Sequence, residues 1–430
     1  MQKFIKSIVW GCLFIIPFIA LYIANGKGVD IFNWGTVGMY FPFISGKNML
    51  FRTLVEIAFA GWAILALYDA KYRIHFRKSP LAIAYAVFVV VLLVADIFGV
   101  DPAKSIWSNY ERMEGFVAHI HFFAYFIVLL GMVHDLKSWQ TLWKVFLAGN
   151  VAVLVYAFGQ FLGAPTYFVA DNFPKIAAWA SAHFPVHMGG NRLDATIGNP
   201  IYLAVFCLLN AFIAGLLWSQ SQNPGKSKWY PILIILNLAG VFYSGTRGAM
   251  IGVMVGVLVT LSLIAWNEKG RARKVLLGVL ATIVIGLSLL FTFKETAFVK
   301  SSSHLYRFAS ISPTDLSSGS RIAIWKISYE AWLERPILGY GQDNFSYIYA
   351  RKFNAQTMWN LEPWYDRSHN VFFDWLVAAG ILGLLSYLSL YVVALYLMWR
   401  KKHDMPSREK AILTGLLAGY FVHNIFVFDN

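Results

Sequence analysis

The sequence predicts an all-α polytopic membrane protein, with about eleven transmembrane helices and a cytoplasmic N-terminus. Three observations predict it. The chain is 58% hydrophobic and only 13% charged, whereas soluble domains carry about 25% charged residues. Apolar stretches recur at the length of about 20 residues that crosses a hydrocarbon layer. Basic residues gather in alternate short loops, as they do on a cytoplasmic face. The net charge of +14 therefore reflects orientation, and no nucleic-acid partner is expected. Cys12 and Cys207 lie inside apolar stretches and suggest neither a disulfide framework nor a metal site.

The predicted spans, in order, are 7–25, 51–68, 80–100, 117–133, 142–162, 201–218, 229–243, 249–266, 275–293, 371–399 and 411–427. The first follows "MQKFIK", whose Lys3 and Lys6 would suit the basic end of a signal peptide. No small-residue cleavage site follows, so it is predicted as a retained helix. The loops "KYRIHFRK", "GKSK", "EKGRARK" and "RKKHDMPSREK" fall on the N-terminal side if each span crosses once. The opposite loops are poorer in Lys and Arg and face outward. Two of them are long, at 163–200 and 294–370. The organisation expected is 1–293 with nine helices, 294–370 as one large, partly helical outward loop bearing part of the active site, and 371–430 with two further helices. The chain stops just after the apolar "FVHNIFVFDN", and a longer natural chain is expected.

Candidate chemistry collects on the outward side. In "SGTRGA", Arg247 stands between two apolar spans, flanked by Gly245 and Gly248. Small residues permit a tight turn and close approach of another group. A guanidinium at that depth needs an anionic partner or water; snorkelling to lipid headgroups is the plain alternative. In "SSGSRIAIWKISYEAWLERPILGYG", Ser318 or Ser320 can cap a helix starting near Arg321, with Pro336 and Gly339 ending it. Arg321 is then expected in the first turn, where a bound anion would satisfy both it and the free N–H groups. Trp325, Tyr329 and Trp332 follow on one face. "YDRSHN" opens the next span with Ser368, His369 and Asn370, and Asp374 lies one turn deeper. Histidine is the usual neutral proton acceptor near neutral pH. "WSNYERMEGF" carries Glu111, Arg112 and Glu114, and "NRLDATIGNP" carries Arg192, Asp194 and Asn199; ordinary loop ion pairing is the plain reading. "GYGQDN" has no preceding strand and carries no nucleotide signal.

Together, "YERMEG", "NRLDATIGNPIYLA", "SGTRGA", "SRIAIW…RPILGYG" and "SHNVFFDWLVAAGILG" resemble the O-antigen ligase and O-antigen polymerase superfamily. Ile201 stands where that family more often has a second asparagine. The resemblance implies a bacterial inner-membrane enzyme with about twelve helices and a large periplasmic loop. Such an enzyme moves a glycan from undecaprenyl diphosphate to lipid A–core, a growing glycan or a protein hydroxyl, without metal or cofactor. It carries the family's paired arginines to Arg247 and Arg321 and its loop histidine to His369. Arg112, Arg192, Asn370, Trp325 and Tyr329 are the candidate substrate contacts. The expected chemistry is ligase-type and inverting: arginines meet the charge developing on the diphosphate, and His369 takes the acceptor proton or hydrogen-bonds the leaving group. Polymerase and protein O-oligosaccharyltransferase are the near alternatives. A transporter of the same lipid is the different-class alternative, disfavoured because the charges gather at one face.

Overall fold

The computed structural model describes residues 1–23, 43–163, 172–185, 192–310, 316–354, 364–400 and 405–427. Among these every regular element is a helix. The principal ones are α1 Gln2–Ile15, α2 Ser45–Tyr68, α3 Pro80–Ile97, α4 Pro102–Trp107, α5 Phe116–Met132, α6 Leu136–Gly163, α7 Pro174–His183, α8 Pro200–Ser219 and α9 Trp229–Tyr243. They continue as α10 Arg247–Asn267, α11 Gly270–Thr292, α12 Ala297–Ser301, α13 Ser303–Ala309, α14 Leu316–Glu334, α15 Phe345–Lys352, α16 Val371–Trp399 and α17 Ser407–Ile425. Among the described residues each predicted span falls on helix; residues 24 and 25 of the first span lie outside them. Among the described residues, eight helical segments are long and apolar enough to cross a membrane, and α5 and α9 are apolar but shorter. The chain is a polytopic α-helical membrane protein.

Local sequence explains many of the ends. The first span turns 3₁₀ over Ile16–Leu21, because Pro17 supplies no N–H for an α-helical bond. Asp101 caps α4 by accepting from Lys104 N at 3.0 Å, and Asn199 caps α8 through Ile201 N at 2.8 Å. Both helices then place proline at the first helical position, where its fixed φ suits the helix.

The chain forms two compact units. One comprises Met1–Val145 and Leu316–Leu397, the other Phe146–Asp315 and Met398–Phe426. These boundaries cut through the outward stretch 294–370 that the sequence suggested as one piece: α12 and α13 belong to the second unit and α14 and α15 to the first.

In the first unit, α1, α2 and α5 share an apolar core that includes Val9, Leu13, Leu54, Val55 and Val128. A second core joins α3 to α16, where the Phe88, Trp375 and Tyr387 rings meet at 5.0–6.1 Å. Helix α16 is broken at Ala379 and Gly380. A break frees backbone groups that hydrocarbon cannot satisfy. The segment after α14 satisfies them: Tyr340 N donates to Val377 O (2.8 Å), Gly341 N to Ala378 O (2.9 Å) and Ile381 N to Pro336 O (2.8 Å). Gly380 has φ +64°, and a Cβ there would lie 2.2 Å from Ile337 O. "RPILGYG" and "AAGILG" are thus two halves of one joint, a role the sequence alone did not reveal for the glycines of "GYGQDN".

In the second unit, α10 and α17 meet backbone to backbone. A Cβ at Gly252 would lie 2.5 Å from Gly419 O, and one at Gly256 would lie 2.6 Å from Gly415 O. Small residues four apart let helices approach closely and gain packing contacts where no hydrophobic effect drives them together.

Candidate functional site

The candidate residues gather in two clusters, one within each unit. In the first unit, three short segments meet. The turn 108–114 is pinned to the start of α2: Ser45 Oγ donates to Tyr110 O (2.8 Å), Asn48 Nδ2 to Arg112 O (2.5 Å), and Arg52 to Met113 O. It is pinned to the joint by Asp343, whose Oδ2 accepts from Ser108 Oγ (2.9 Å) and Asn109 N (3.0 Å). Gln342 reaches the other way, donating N and Nε2 to the carboxylate of the fully buried Asp96 at 2.8 and 2.7 Å.

Two ion pairs then tie this turn to the entry of α16. Arg112 meets Asp366 at 2.6 Å, and Arg367 meets Glu114 at 2.9 Å. All four side chains are largely screened from water. The Arg112 and Glu114 charges therefore do not pair within their own loop. Burial pushes the Glu114 carboxyl up, against the pull of Arg367 and Arg112. Burial alone would lower Arg367, but Glu114, Asp374, Asp343 and Asp366 together hold its pKa above the ordinary arginine value. Asp343, Asp366, Arg367 and Asp374 also line a cavity of about 10 Å³, room for roughly one water.

His369 follows at the mouth of α16. Its backbone is held on both sides. Asp374 Oδ1 accepts from Ser368 N at 2.9 Å and from the Ser368 hydroxyl. Asn370 Oδ1 caps α16 by accepting from Phe372 N at 2.9 Å. Between them His369 adopts φ +53°. Non-glycine residues at positive φ cost of order 1–3 kcal/mol and cluster at functional sites; Ser108, Met113 and Asp343 share this feature here. Burial lowers the His369 pKa to about 4. Asp366 opposes that shift, and Arg321, Arg112 and Arg367 reinforce it. The imidazole is therefore neutral at pH 7, within electrostatic reach of three guanidinium groups and one carboxylate.

Arg321 belongs to this cluster, but not at a helix start. Helix α14 begins at Leu316, so Arg321 is its sixth residue. The unsatisfied N–H groups of a helix are its first four, so Arg321 lies beyond them rather than in the first turn that the sequence suggested. The aromatic face also divides. Trp325 stacks on Phe373 at 6.0 Å, whereas Tyr329 is 49% exposed and contacts Trp332. The Asn370 side-chain oxygen is occupied as a helix cap.

The second cluster surrounds "SGTRG". Gly245 turns the chain at φ +62°, and Arg247 becomes the first residue of α10. Arg192 donates Nε to Ser244 O (2.7 Å) and Nη2 to Thr246 Oγ1 (3.1 Å). Arg307, on α13, donates Nε to Gly245 O (2.9 Å). Arg247 donates Nε to Arg307 O (2.9 Å) and lies 3.4 Å from Ser310 Oγ. A Cβ on Gly245 would make only ordinary contacts with Arg192 and Arg307, at 3.4–3.6 Å, so it is the positive φ that calls for glycine here. Burial, and then the charge of Arg307, lowers the Arg192 pKa to about 10. Asp194 does not pair with Arg192; its Oδ1 accepts from Gln160 Nε2 at 2.7 Å. Three guanidinium groups around one turn at a helix N-terminus favour a multiply charged anion.

The sequence pointed to Arg192 and Arg247 but not to Arg307, which lies in the unremarkable "SSSHLYRFAS". It also passed over Asp366 and Arg367, although both stand in "YDRSHN". Among the described residues, no group of three or more His, Cys, Asp or Glu side chains is arranged to hold a metal ion.

Residues 232–388 match the family model described as O-antigen ligase. That range runs from α9 through the arginine turn, the joint and His369 into α16. No curated protein matches the chain.

Proposed function

We propose that the chain is a member of the O-antigen ligase and polymerase superfamily, a reading supported by the match over residues 232–388, and that it transfers a glycan from undecaprenyl diphosphate to an acceptor hydroxyl at the periplasmic face of a bacterial inner membrane. Glycan transfer of this general type follows from the family. The donor, the ligase branch, the membrane side, metal independence and inversion are our reading.

The observation that carries it is His369, a neutral imidazole in a strained turn with Arg112, Arg321 and Arg367 around it. The reaction balances simply. The acceptor oxygen attacks the anomeric carbon, and the carbon–oxygen bond to the diphosphate breaks with its electron pair going to the diphosphate. The hydroxyl proton passes to His369. An imidazolium then forms, which the nearby Asp366 carboxylate favours. Negative charge builds on the leaving diphosphate, where a guanidinium supplies the compensating charge; Arg321 in one unit and Arg247 in the other are each candidates for that role. Arg192 and Arg307 buttress Arg247, and Arg112 holds Asp366. Trp325 and Tyr329 serve as sugar-contacting aromatics. Direct displacement of this kind inverts the anomeric centre.

The test is reconstitution. Purified protein is mixed with undecaprenyl-diphosphate glycan and, separately, with lipid A–core, a glycan chain or an acceptor protein. We expect a product whose mass equals lipid A–core plus the glycan. Extension of the glycan chain instead would move the protein to the polymerase branch, and transfer to the protein would move it to the protein-glycosylating branch. No transfer to any acceptor would overturn the reading. Turnover should persist in excess chelator; loss there, restored by one divalent metal, would refute metal independence.

A further inference from the structure

The second unit contains a cavity of about 560 Å³ that the transfer reaction does not use. Its walls come from the C-terminal half of α8, the middle of α9, residues 253–264 of α10 and the first turns of α17. Phe212, Ile234, Leu238, Val257 and Leu261 make it apolar, and Arg408 stands at its edge with Ser219 and Ser221. It lies toward the opposite end of α10 from Arg247. With a rise of 1.5 Å per residue, Ile264 sits about 25 Å along the helix from the arginine turn. It is thus at the end of the unit that carries the basic loops.

Two features identify what fits it. The cavity is an apolar recess between membrane-spanning helices, so hydrocarbon chains are its natural solvent. Arg408 is the charged residue of its lining, and the stretch after α10, residues 268–274, holds four basic residues against one acidic. Arg408 is 64% exposed at its side chain. It holds Glu268 through Nε and Nη2, both to the same carboxylate oxygen, which leaves Nη1 for another acceptor. Glu409, next to Arg408 in the chain, accepts from Gln220 Nε2 at 2.8 Å. No side chain caps α17, which begins at Ser407 beside Arg408, so its first N–H groups also face an anion favourably.

We propose that this cavity binds one anionic phospholipid of the cytoplasmic leaflet, with an acyl chain between α8, α9 and α10 and its phosphate at Arg408. This is a lipid site separate from the glycan-transfer chemistry, and it does not depend on that chemistry.

Gly215 gives a clean probe. It lines the cavity, and a Cβ there would meet only Ile234 Cδ1, at 4.0 Å. Gly215→Leu therefore projects a side chain into the recess and narrows it, from a position where the added Cβ itself meets no clash. The experiment is native mass spectrometry of the full chain, exchanged from detergent into phosphatidylglycerol or phosphatidylcholine. We expect the wild type to retain one phosphatidylglycerol at least fivefold more than phosphatidylcholine. Gly215→Leu should lose that bound lipid while keeping its thermal unfolding midpoint. Arg408→Gln should erase the preference for phosphatidylglycerol but still hold a lipid. Equal retention of the two lipids by the wild type would overturn the proposal. So would undiminished phosphatidylglycerol retention by Gly215→Leu. Displacement of the bound lipid by undecaprenyl phosphate, with loss of glycan transfer in Gly215→Leu, would also overturn it, by making the recess part of the donor site.

Discussion

At the scale of single residues, charge and geometry carry different weights. Arg247 and Arg321 are each candidates to meet the developing charge, and the fork of a guanidinium matches phosphate oxygens where an ammonium does not. Arg247→Lys and Arg321→Lys should each lower turnover about a hundred- to a thousandfold while the protein still folds, the usual cost of removing a donor aimed at a developing charge. If both act on one diphosphate, the double variant should lose less than the product of the single losses. Near-normal turnover in both lysine variants would make the arginines lipid anchors instead. His369 makes a prediction in pH. Its folded pKa is depressed to about 4 by burial and the surrounding cations, so it remains the neutral acceptor down to that range. The profile of kcat/KM should therefore show no inflection near 6.5. An inflection near 6.5 that disappears in His369→Gln would show that the imidazole titrates normally and refute the buried-acceptor reading. The same depression costs stability as pH falls from 6.5 toward 4, because the unfolded chain takes up the proton first.

At the scale of elements, the broken α16 and the segment after α14 depend on one another. Gly380 combines φ +64° with a backbone oxygen 2.2 Å from any added Cβ. A left-handed L-residue costs about 1–2 kcal/mol before the clash is counted. Gly380→Ala should thus lower the thermal unfolding midpoint in detergent and reduce turnover, since the joint also holds Asp343 against Ser108. Gly278 on α11 is the control: an added Cβ meets nothing within 4 Å, and alanine favours a helix interior by about 1 kcal/mol. Equal midpoints for the two variants would contradict the joint. The α10–α17 contact through Gly252 and Gly419 works differently, because there glycine supplies closeness rather than a special φ.

At the scale of the whole molecule, orientation is the claim to check. The basic loops place 71–78 and 268–274 on one side and α14 on the other, if every predicted span crosses. In intact spheroplasts, Arg77→Cys and Arg271→Cys should resist an impermeant thiol reagent. Tyr329→Cys, at a position already 49% exposed, should react. Labelling of Arg271→Cys from outside would break the span count.

The sequence by itself determined the helical class and the position of every predicted span, because hydropathy over about 20 residues is a local quantity that the bilayer reads locally. It also determined that the lone Arg247 sits in a glycine turn, because Gly245 is a local demand of the backbone. Tertiary structure alone decided the rest. Arg367 meets Glu114 across 253 positions, although each had closer neighbours of opposite charge in its own segment. Arg321 moved from a helix start to a helix interior because α14 began earlier than its serines suggested. The freed carbonyls of Val377 and Ala378 accept from Tyr340 and Gly341, a pairing no local pattern encodes, since any backbone N–H could have met the need. Burial made His369 a neutral imidazole, and burial is a property of the fold around a residue rather than of the residue.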